Sequence, residues 1–204
     1  MNTNKSLYDI ELDMTYEGSY HADRGVTKSV FDSFALGTAL HAPSFLVARG
    51  VLGCPTFPIY DADGDFAGWG FRTDNPDYKY YYYNVTTSDN IYGLPQAIPA
   101  ILEQKEVIVV EGFYDVLLAH SIGMKNVVGA FSNSLSKSQI LILGSFTNNI
   151  KLALDSDNAG LSGTKSTEEW ARKLVPDINI AKFMVYPSHD FCDYATKRLN
   201  QNEE

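Results

Sequence analysis

Short apolar runs alternate with amphipathic segments through the second half of the chain. The runs have the length and β-branched content of buried strands. The expected strands cover about 104–110, 127–131, 150–154 and 179–186. The expected helices cover about 114–122, 136–143, 165–174 and 193–200. This alternation predicts an α/β domain with a four-stranded, mainly parallel sheet between helices.

The first half of the chain has shorter and less regular patterns. Residues 1–23 have few apolar positions in any period and are expected to form a flexible lead or a peripheral strand. A helix is expected to begin after Thr27, which has N-cap chemistry, and to end at Gly37. We therefore expect residues 24–100 to form a smaller α+β lobe before the α/β domain of residues 101–204.

Two further segments of this lobe have clear signals. Asp63-Gly64 lies between two apolar runs, which predicts a β-hairpin. Tyrosines at 80–83 predict a strand, whose rings either pack against the hairpin or stack on nucleic-acid bases. Pro95 and Pro99 are expected to bound a short linker into the second domain.

Composition narrows the functional classes. The chain has 204 residues, of which 45% are apolar, and its net charge is −9. Such an acidic chain is a poor nucleic-acid binder on its own, so any binding to DNA must be local, metal-mediated or supplied by a partner. Cys54 and Cys192 lie far apart, which excludes a disulfide framework and a zinc site. No apolar stretch of membrane-spanning length and no signal peptide occur, so we expect a cytoplasmic protein.

Carboxylates follow two of the predicted strands directly. Glu111 comes after the strand that ends at Val110, and Asp155 and Asp157 come after the strand at 150–154. In an extended chain, residues two apart point the same way, and ligands bind at the carboxyl edge of open α/β sheets. One such residue is usually a helix cap or a solvated loop residue, whereas two acidic strand ends also fit a site for Mg²⁺ or Mn²⁺.

The same two segments resemble the TOPRIM domain, which primases, topoisomerases and some nucleases share. The resemblance rests on EVIVVEG at 106–112 and KLALDSDNAG at 151–160. It implies that Glu111, Asp155 and Asp157 are catalytic and hold one or two Mg²⁺ or Mn²⁺ ions. The segment SHDFCDY at 188–194 is similar to a third acidic TOPRIM motif, which makes Asp190 and Asp193 supporting metal ligands.

The first half resembles the catalytic core of bacterial-type primases in particular. TFPIYDADGDFAGWGFRT at 56–73 is similar to a primase motif whose last Arg corresponds to Arg72, and a following segment matches that family's Lys at Lys79. The resemblance implies that both cations contact nucleic-acid or nucleotide phosphates. Tyr60 stands where the family has Arg, and Ser132 stands where it has a Gly close to the phosphates.

The resemblance implies a DNA primase, a nucleotidyltransferase that copies a single-stranded DNA template into an RNA primer from NTPs during replication. The expected partners are the template, the NTPs, and a replicative helicase or a separate zinc-binding or helper chain. Primases of this type usually add a zinc-binding domain and a helicase-binding domain, so a core without them is expected to come from a phage or mobile element and to act in the bacterial cytoplasm. The alternative is a TOPRIM nuclease, or a degenerate module that binds nucleic acid or a partner without turnover.

Overall fold

The structure is a computed structural model that describes residues 10–154, 158–183 and 191–201. The strands are β1 Glu11–Asp13, β2 Gly37–His41, β3 Pro55–Tyr60, β4 Phe66–Arg72, β5 Tyr80–Tyr83, β6 Val107–Val110, β7 Val127–Gly129, β8 Asn149–Leu152 and β9 Asn179–Lys182. The helices are α1 Tyr20–Asp23, α2 Lys28–Ser33, α3 Ser44–Val47, α4 Leu94–Gln104, α5 Phe113–Ser121, α6 Lys137–Gly144, α7 Asn158–Leu174 and α8 Phe191–Gln201. A 3₁₀ turn covers Thr87–Asp89.

The chain divides into two compact units. The first contains the chain up to Ile59 together with Ala67–Val85, and the second contains Tyr60–Phe66 together with the chain from Thr86 onward. The tip of the β3–β4 hairpin therefore belongs to the second unit. In the part of the chain that is described, no helix is long and apolar enough to cross a membrane.

The first unit is built on a five-stranded sheet in the order β1-β2-β3-β4-β5. The pairs β1–β2, β2–β3 and β4–β5 are antiparallel. Its core is aromatic, with Phe31, Phe57 and Phe71 all fully buried. The buried ring of His21 packs edge-on against Phe31 and Phe57, with centroid distances of 5.8 and 5.3 Å. This sheet with short helices is the α+β lobe that the sequence predicts.

The predicted helix of this unit is shorter than expected. Thr27 is its N-cap, but the helix ends at Ser33, and Gly37 begins strand β2 instead of ending the helix. Ala35 reverses the chain with a φ of +51°. A Cβ on Gly37 would lie 2.8 Å from the backbone oxygen of Asp13, so glycine lets β1 approach β2 closely. The glycine is required by a distant strand, which a local helix-stop rule does not detect.

The predicted hairpin and tyrosine strand are both confirmed. Gly64 has a φ of +87° at the tip between β3 and β4, where the backbone of Asp61 donates to Asp65 O at 2.9 Å. Strand β5 pairs with β4, so that Arg72 faces Tyr80. Gly68 is needed because a Cβ there would overlap the backbone oxygen of Tyr83.

The linker expected between Pro95 and Pro99 is wrong, because both prolines lie in helix α4. Pro95 occupies the first turn, where a missing N–H leaves no hydrogen bond unmade. Pro99 lies in the interior of the helix, which continues through it, and is exposed. Ala97 and Ile101 pack into the core of the second unit. Burial of this apolar face outweighs the local cost of the interior proline.

The second unit contains a four-stranded parallel sheet in the order β7-β6-β8-β9. All four residues of β6 are buried, as expected for a central strand covered on both faces. Helix α5 contacts α8 and β7, and α6 contacts α7. The predicted α/β class, with a four-stranded parallel sheet between helices, is confirmed, and helix α7 begins earlier than the sequence pattern indicated.

Candidate active site

Glu111 lies at the carboxyl end of the central strand β6. Strands β6 and β8 are parallel neighbours, with Val109 paired to Leu152, so their carboxyl ends share one sheet edge. Ala153 continues this pairing, because its backbone N–H donates to Val109 O at 2.8 Å. The described part of this segment ends at Leu154, and the predicted ligands Asp155 and Asp157 lie outside the described residues.

The backbone around Glu111 is fixed by the start of helix α5. Asp115 in the first turn of α5 accepts a hydrogen bond from the Gly112 N–H at 2.9 Å. A carboxylate in the first helical turn also interacts favourably with the helix dipole. Glu111 itself is half-buried. The Glu-Gly-x-x-Asp spacing thus has a structural reason, because the second carboxylate caps the helix that follows the first.

An aromatic cluster lies beside this strand end. The rings of Tyr92 and Phe113 meet edge-to-face with a centroid distance of 4.5 Å, and Phe131 packs edge-on against Phe113 at 5.6 Å. The backbone of Tyr92 also exchanges two hydrogen bonds with Gly129, both 2.9 Å long. Tyr92 thereby adds an isolated antiparallel bridge to strand β7.

The loop of residues 131–135 contains Ser132, which stands where the primase family has a glycine. The positive φ in this loop, +64°, falls on Phe131, and Ser132 is not among the described residues with positive φ. Serine therefore fits this backbone without conformational strain. A Cβ on Gly163 in α7 would overlap the carbonyl oxygen of Asn133, so this loop and α7 are in direct backbone contact. One turn further along α7, the buried Thr167 accepts from the Leu135 N–H at 3.0 Å.

Gln139 holds the other side of this loop and was not identified from the sequence. Its side chain is almost fully buried, and its Nε2 lies 2.8 Å from Asn90 O, 3.0 Å from Ala130 O and 3.1 Å from Thr87 O. Its Oε1 accepts from the Ser136 N–H at 2.9 Å. The Ser-x-x-Gln spacing of a capping box was the available signal.

Of the two supporting metal ligands predicted after the last strand, Asp190 and Asp193, the structure describes only Asp193. Asp190 lies outside the described residues, whereas Asp193 lies in the first turn of α8. The Asp193 carboxylate is 2.7 Å from the Lys197 ammonium one turn along the same helix. Helix α8 packs against α5, the helix that follows Glu111.

Arg72 and Lys79 lie in the first unit, whereas Glu111 lies in the second. The guanidinium carbon of Arg72 is 5.3 Å from the centroid of the Tyr80 ring, and the Lys79 ammonium is 5.9 Å from it. Tyr60, at the position where the resemblance expects an arginine, packs edge-on against Phe66 at 5.8 Å. Burial raises the pKa of Tyr60, so this phenol stays neutral.

Two observations bear on the charge near the strand ends. Lys151, near the predicted site in sequence, forms a 2.8 Å ion pair with Glu106. Among the residues the structure describes, no group of three or more Asp, Glu, His or Cys side chains is arranged to hold a metal ion. A half-buried carboxylate at a strand end has the hard oxygen donors that Mg²⁺ or Mn²⁺ takes, so Glu111 fits such an ion.

Residues 108–195 match the family described as Toprim-like. This part of the chain is a TOPRIM domain. Curated relatives of the chain are DNA primases: that of Aquifex aeolicus is 32% identical over 136 residues, which cover 64% of this chain and 26% of that protein. The DNA primase of Helicobacter pylori strain J99 is 28% identical over 190 residues, covering 76% of this chain and 33% of that protein. The chain thus spans about a quarter to a third of these two relatives.

Solved structures share the fold of the TOPRIM domain and of the first unit. The DnaG catalytic core has a TM-score of 0.74 at 24% identity and covers 92% of this chain and 73% of that one. The Aquifex aeolicus primase fragment with zinc-binding and RNA polymerase domains has a TM-score of 0.76 at 22% identity, covering 90% and 53%. A DnaG catalytic domain bound to single-stranded DNA has a TM-score of 0.74 at 23% identity, covering 93% and 70%. The chain resembles the primase catalytic core in sequence and in fold.

Proposed function

We propose that the chain is a primase catalytic core that synthesises RNA primers on a single-stranded DNA template. The observation that carries this proposal is the extent of the sequence similarity. The DNA primase of Aquifex aeolicus aligns with 64% of the chain, more than the Toprim-like range of residues 108–195 occupies. Similarity to a nuclease through the TOPRIM domain alone would not extend into the first unit.

Divalent ions are the cofactor that this proposal requires. Glu111, Asp155 and Asp157 would hold one or two Mg²⁺ or Mn²⁺ ions, with Asp190 and Asp193 in support. When bound, such ions lower the pKa of an attacking hydroxyl and stabilise charge on the triphosphate and the leaving pyrophosphate. Asp115 accepts a hydrogen bond from the Gly112 N–H, which ties the backbone next to Glu111 to the start of α5.

In this proposal, residues of the first unit make the phosphate contacts. Arg72 and Lys79 would bind phosphates of the template or the incoming nucleotide, as their match to the primase motifs implies. Each cation lies over the Tyr80 ring, which supports it without neutralising its charge. A helicase, or a separate chain that supplies zinc-binding or helper functions, would complete the priming system.

The proposal is tested by primer synthesis on single-stranded DNA with labelled NTPs and Mg²⁺ or Mn²⁺, at low salt, with and without helicase. Wild type is expected to make short RNA. Glu111→Gln, which keeps shape and removes charge, should lower the rate by about a hundredfold or more, because metal-held charge is worth several kcal/mol. Lys28→Ala is the control, because its ammonium is already paired with Asp32 at 2.8 Å.

Calorimetric titration with Mn²⁺ gives a second readout on the same proteins. Wild type should bind the ion, and Asp155→Ala combined with Asp157→Ala should remove that binding while thermal unfolding stays cooperative. Degradation of DNA that depends on Asp155, without any primer synthesis, would replace the primase proposal with a TOPRIM nuclease.

A further inference from the structure

Two lysines of the second unit converge on one tryptophan ring. Lys137 is the first residue of helix α6, and its ammonium nitrogen lies 3.6 Å from the centroid of the Trp170 ring on α7. The ammonium nitrogen of Lys173, three residues further along α7, lies 4.8 Å from the same centroid. Because both distances end at one centroid, the two ammonium groups cannot be farther apart than the two distances together.

The tryptophan holds the two cations at the surface. Trp170 is half-buried and packs against the hydrophobic core of the second unit, whereas Lys137 and Lys173 are exposed. The core therefore fixes the ring, and the ring attracts each ammonium group without neutralising its charge. Both charges remain accessible to an anion from solvent.

The charges of these lysines are not compensated in the described part of the chain. Within residues 10–154, 158–183 and 191–201, no ion pair includes Lys137 or Lys173. Glu169 precedes Lys173 by four residues on α7, the spacing and order that favour a helical ion pair, yet Lys173 lies over the ring instead. The chain has 25 acidic residues against 16 lysines and arginines, so carboxylates are not scarce.

A purely structural role accounts for only one of the two lysines. The contact of Lys137 with Trp170 joins α6 to α7, but Lys173 lies on the same helix as the ring and adds no connection between helices. A second ammonium group at one ring also repels the first. An anion bound at both groups would offset this repulsion, which favours an anion-binding role for the pair.

The pair lies on the same flank of the unit as the loop of residues 131–135. Along α7, Gly163 and Thr167 contact this loop, and Trp170 contacts the start of α6 that follows it. From Gly163 to Trp170 the helix rises by about 10 Å, which corresponds to roughly three nucleotides of a strand. The loop itself follows β7, whose carboxyl end shares a sheet edge with that of β6, the strand before Glu111.

We propose that Lys137 and Lys173 bind backbone phosphates of a nucleic-acid strand that extends beyond the catalytic edge of the second unit. An ammonium group binds phosphate as a point charge, and a ring beneath it limits its positions. The inference rests on the proposed function, which supplies the strand. It adds a phosphate contact in the second unit to those proposed for Arg72 and Lys79, and none of the sequence motifs contains the two new lysines.

Fluorescence anisotropy of the full chain with labelled oligo(dT), measured from low to moderate salt, tests the site. Lys137→Met combined with Lys173→Met removes both charges and keeps apolar side chains over the ring. This double variant should weaken binding at low salt by about tenfold or more. It should also reduce the slope of log K against log salt by about 1.4, because each phosphate contact on a single strand contributes about 0.7.

Three further variants separate phosphate binding from a structural role. Lys173→Met alone breaks no contact between helices and should give about half of the slope change. Lys137→Arg combined with Lys173→Arg keeps both charges and should retain the wild-type slope. Arg172→Ala removes a cation from the same stretch of α7, but Glu168 already pairs with it at 3.6 Å, so the slope should stay close to that of wild type. If the double methionine variant unfolds at a lower temperature yet keeps the wild-type slope, the lysines only stabilise the fold and the proposal is overturned.

The same titration with an RNA–DNA duplex distinguishes the two sources of backbone phosphate. A loss confined to oligo(dT) assigns the site to the template, and a loss confined to the duplex assigns it to the product; either result supports the proposal. If wild type makes primers and the double methionine variant binds both nucleic acids as wild type does, the site is wrong while the proposed function stands. If the slope depends on the lysines but wild type makes no primers, the site stands and the proposed function fails. If wild type binds neither nucleic acid at low salt, the proposal is overturned.

Discussion

The side chains that the proposed function uses have opposite charges in the two units and lie in different structural settings. In the TOPRIM unit, Glu111 extends from the end of a strand whose four residues are all buried, so its backbone is fixed by the sheet. In the first unit, Arg72 and Lys79 lie over the Tyr80 ring at the outer end of an antiparallel sheet. In the TOPRIM unit the sheet fixes the backbone of an acidic residue, whereas in the first unit a tyrosine ring contacts the side chains of basic residues.

If the chain is a primase core as proposed, this difference explains how a protein with a net charge of −9 can bind a polyanion. Carboxylates that hold divalent ions turn an acidic edge into a cation-bearing one, which attracts phosphates. Cations that lack a carboxylate partner in the described residues keep their charge available for phosphates at short range. The excess of acidic residues elsewhere then limits non-specific binding more than it limits contacts at these two places.

The largest expected effect concerns the packing of helix α7 in the TOPRIM unit. Gly163→Ala in α7 would place a methyl group on the carbonyl oxygen of Asn133, so the loop of residues 131–135 or the helix must move. We expect the free energy of unfolding to fall by about 3 kcal/mol or more, as for severe overpacking. Urea denaturation followed by circular dichroism measures this loss.

A matched glycine in another helix provides the control. In Gly144→Ala the new Cβ would meet a methyl group of Val175 at 3.1 Å, which a side chain can accommodate with a small shift. We expect a change of less than about 1 kcal/mol, since alanine also favours the helix. Equal losses in the two variants would contradict the backbone contact between α7 and the loop.

The cations of the first unit are expected to give intermediate effects. Arg72→Ala and Lys79→Ala should each lower primer synthesis about tenfold, the value of one charged hydrogen bond, and leave Mn²⁺ binding unchanged. Lys28→Ala removes the same charge from the same unit, but Asp32 already neutralises that lysine, so synthesis should persist. Loss of Mn²⁺ binding in Arg72→Ala would contradict the division of roles between the units.

What the sequence reveals depends on whether an element is decided by its own residues or by distant ones. The elements around β6 follow from their own periodicity, because a buried parallel strand is a continuous apolar run whatever its neighbours are. Gly37 and the pair Pro95 and Pro99 misled local rules, since a strand far along the chain and a buried helix face decide their conformations. Gln139 shows a similar limit: a capping box predicts its bond to Ser136, but not that its Nε2 lies within 3.1 Å of three carbonyl oxygens outside the helix.

Among the described residues, each unit has one buried histidine, which gives a direct comparison by pH. The Nε2–H of His21 donates to Gly37 O at 3.3 Å, and that of His120 donates to Val127 O at 3.0 Å. Burial lowers the pKa of each ring from 6.5 to about 4. Because the folded pKa lies below the unfolded one, each contribution is complete above pH 6.5 and is lost as the pH falls towards 4.

We therefore expect each histidine to remove about 2 kcal/mol of stability between pH 7 and pH 4.5, measured by urea unfolding at both values. His21→Gln and His120→Gln should each flatten this dependence by that amount. His41 in β2 is exposed, so His41→Gln should leave it unchanged. If only one of the buried sites contributes, the two units differ in how tightly they exclude water around the ring.

The smallest expected effect concerns one left-handed residue in each unit. Lys105 follows α4 with a φ of +54°, and its carbonyl accepts from the Thr147 hydroxyl at 2.7 Å and from Asn149 Nδ2 at 3.0 Å. Lys105→Gly relieves the strained φ and keeps both bonds, because they involve only the backbone. We expect a gain of about 0.5–1 kcal/mol in the free energy of unfolding.

In the first unit, Ala35 has a φ of +51°, but its Cβ is half-buried, so Ala35→Gly also loses apolar burial and should gain less. Thermal unfolding of the two variants measures this difference. A larger gain at Ala35 would mean that strain relief outweighs the lost burial there, and that the first unit carries more backbone strain than the TOPRIM unit.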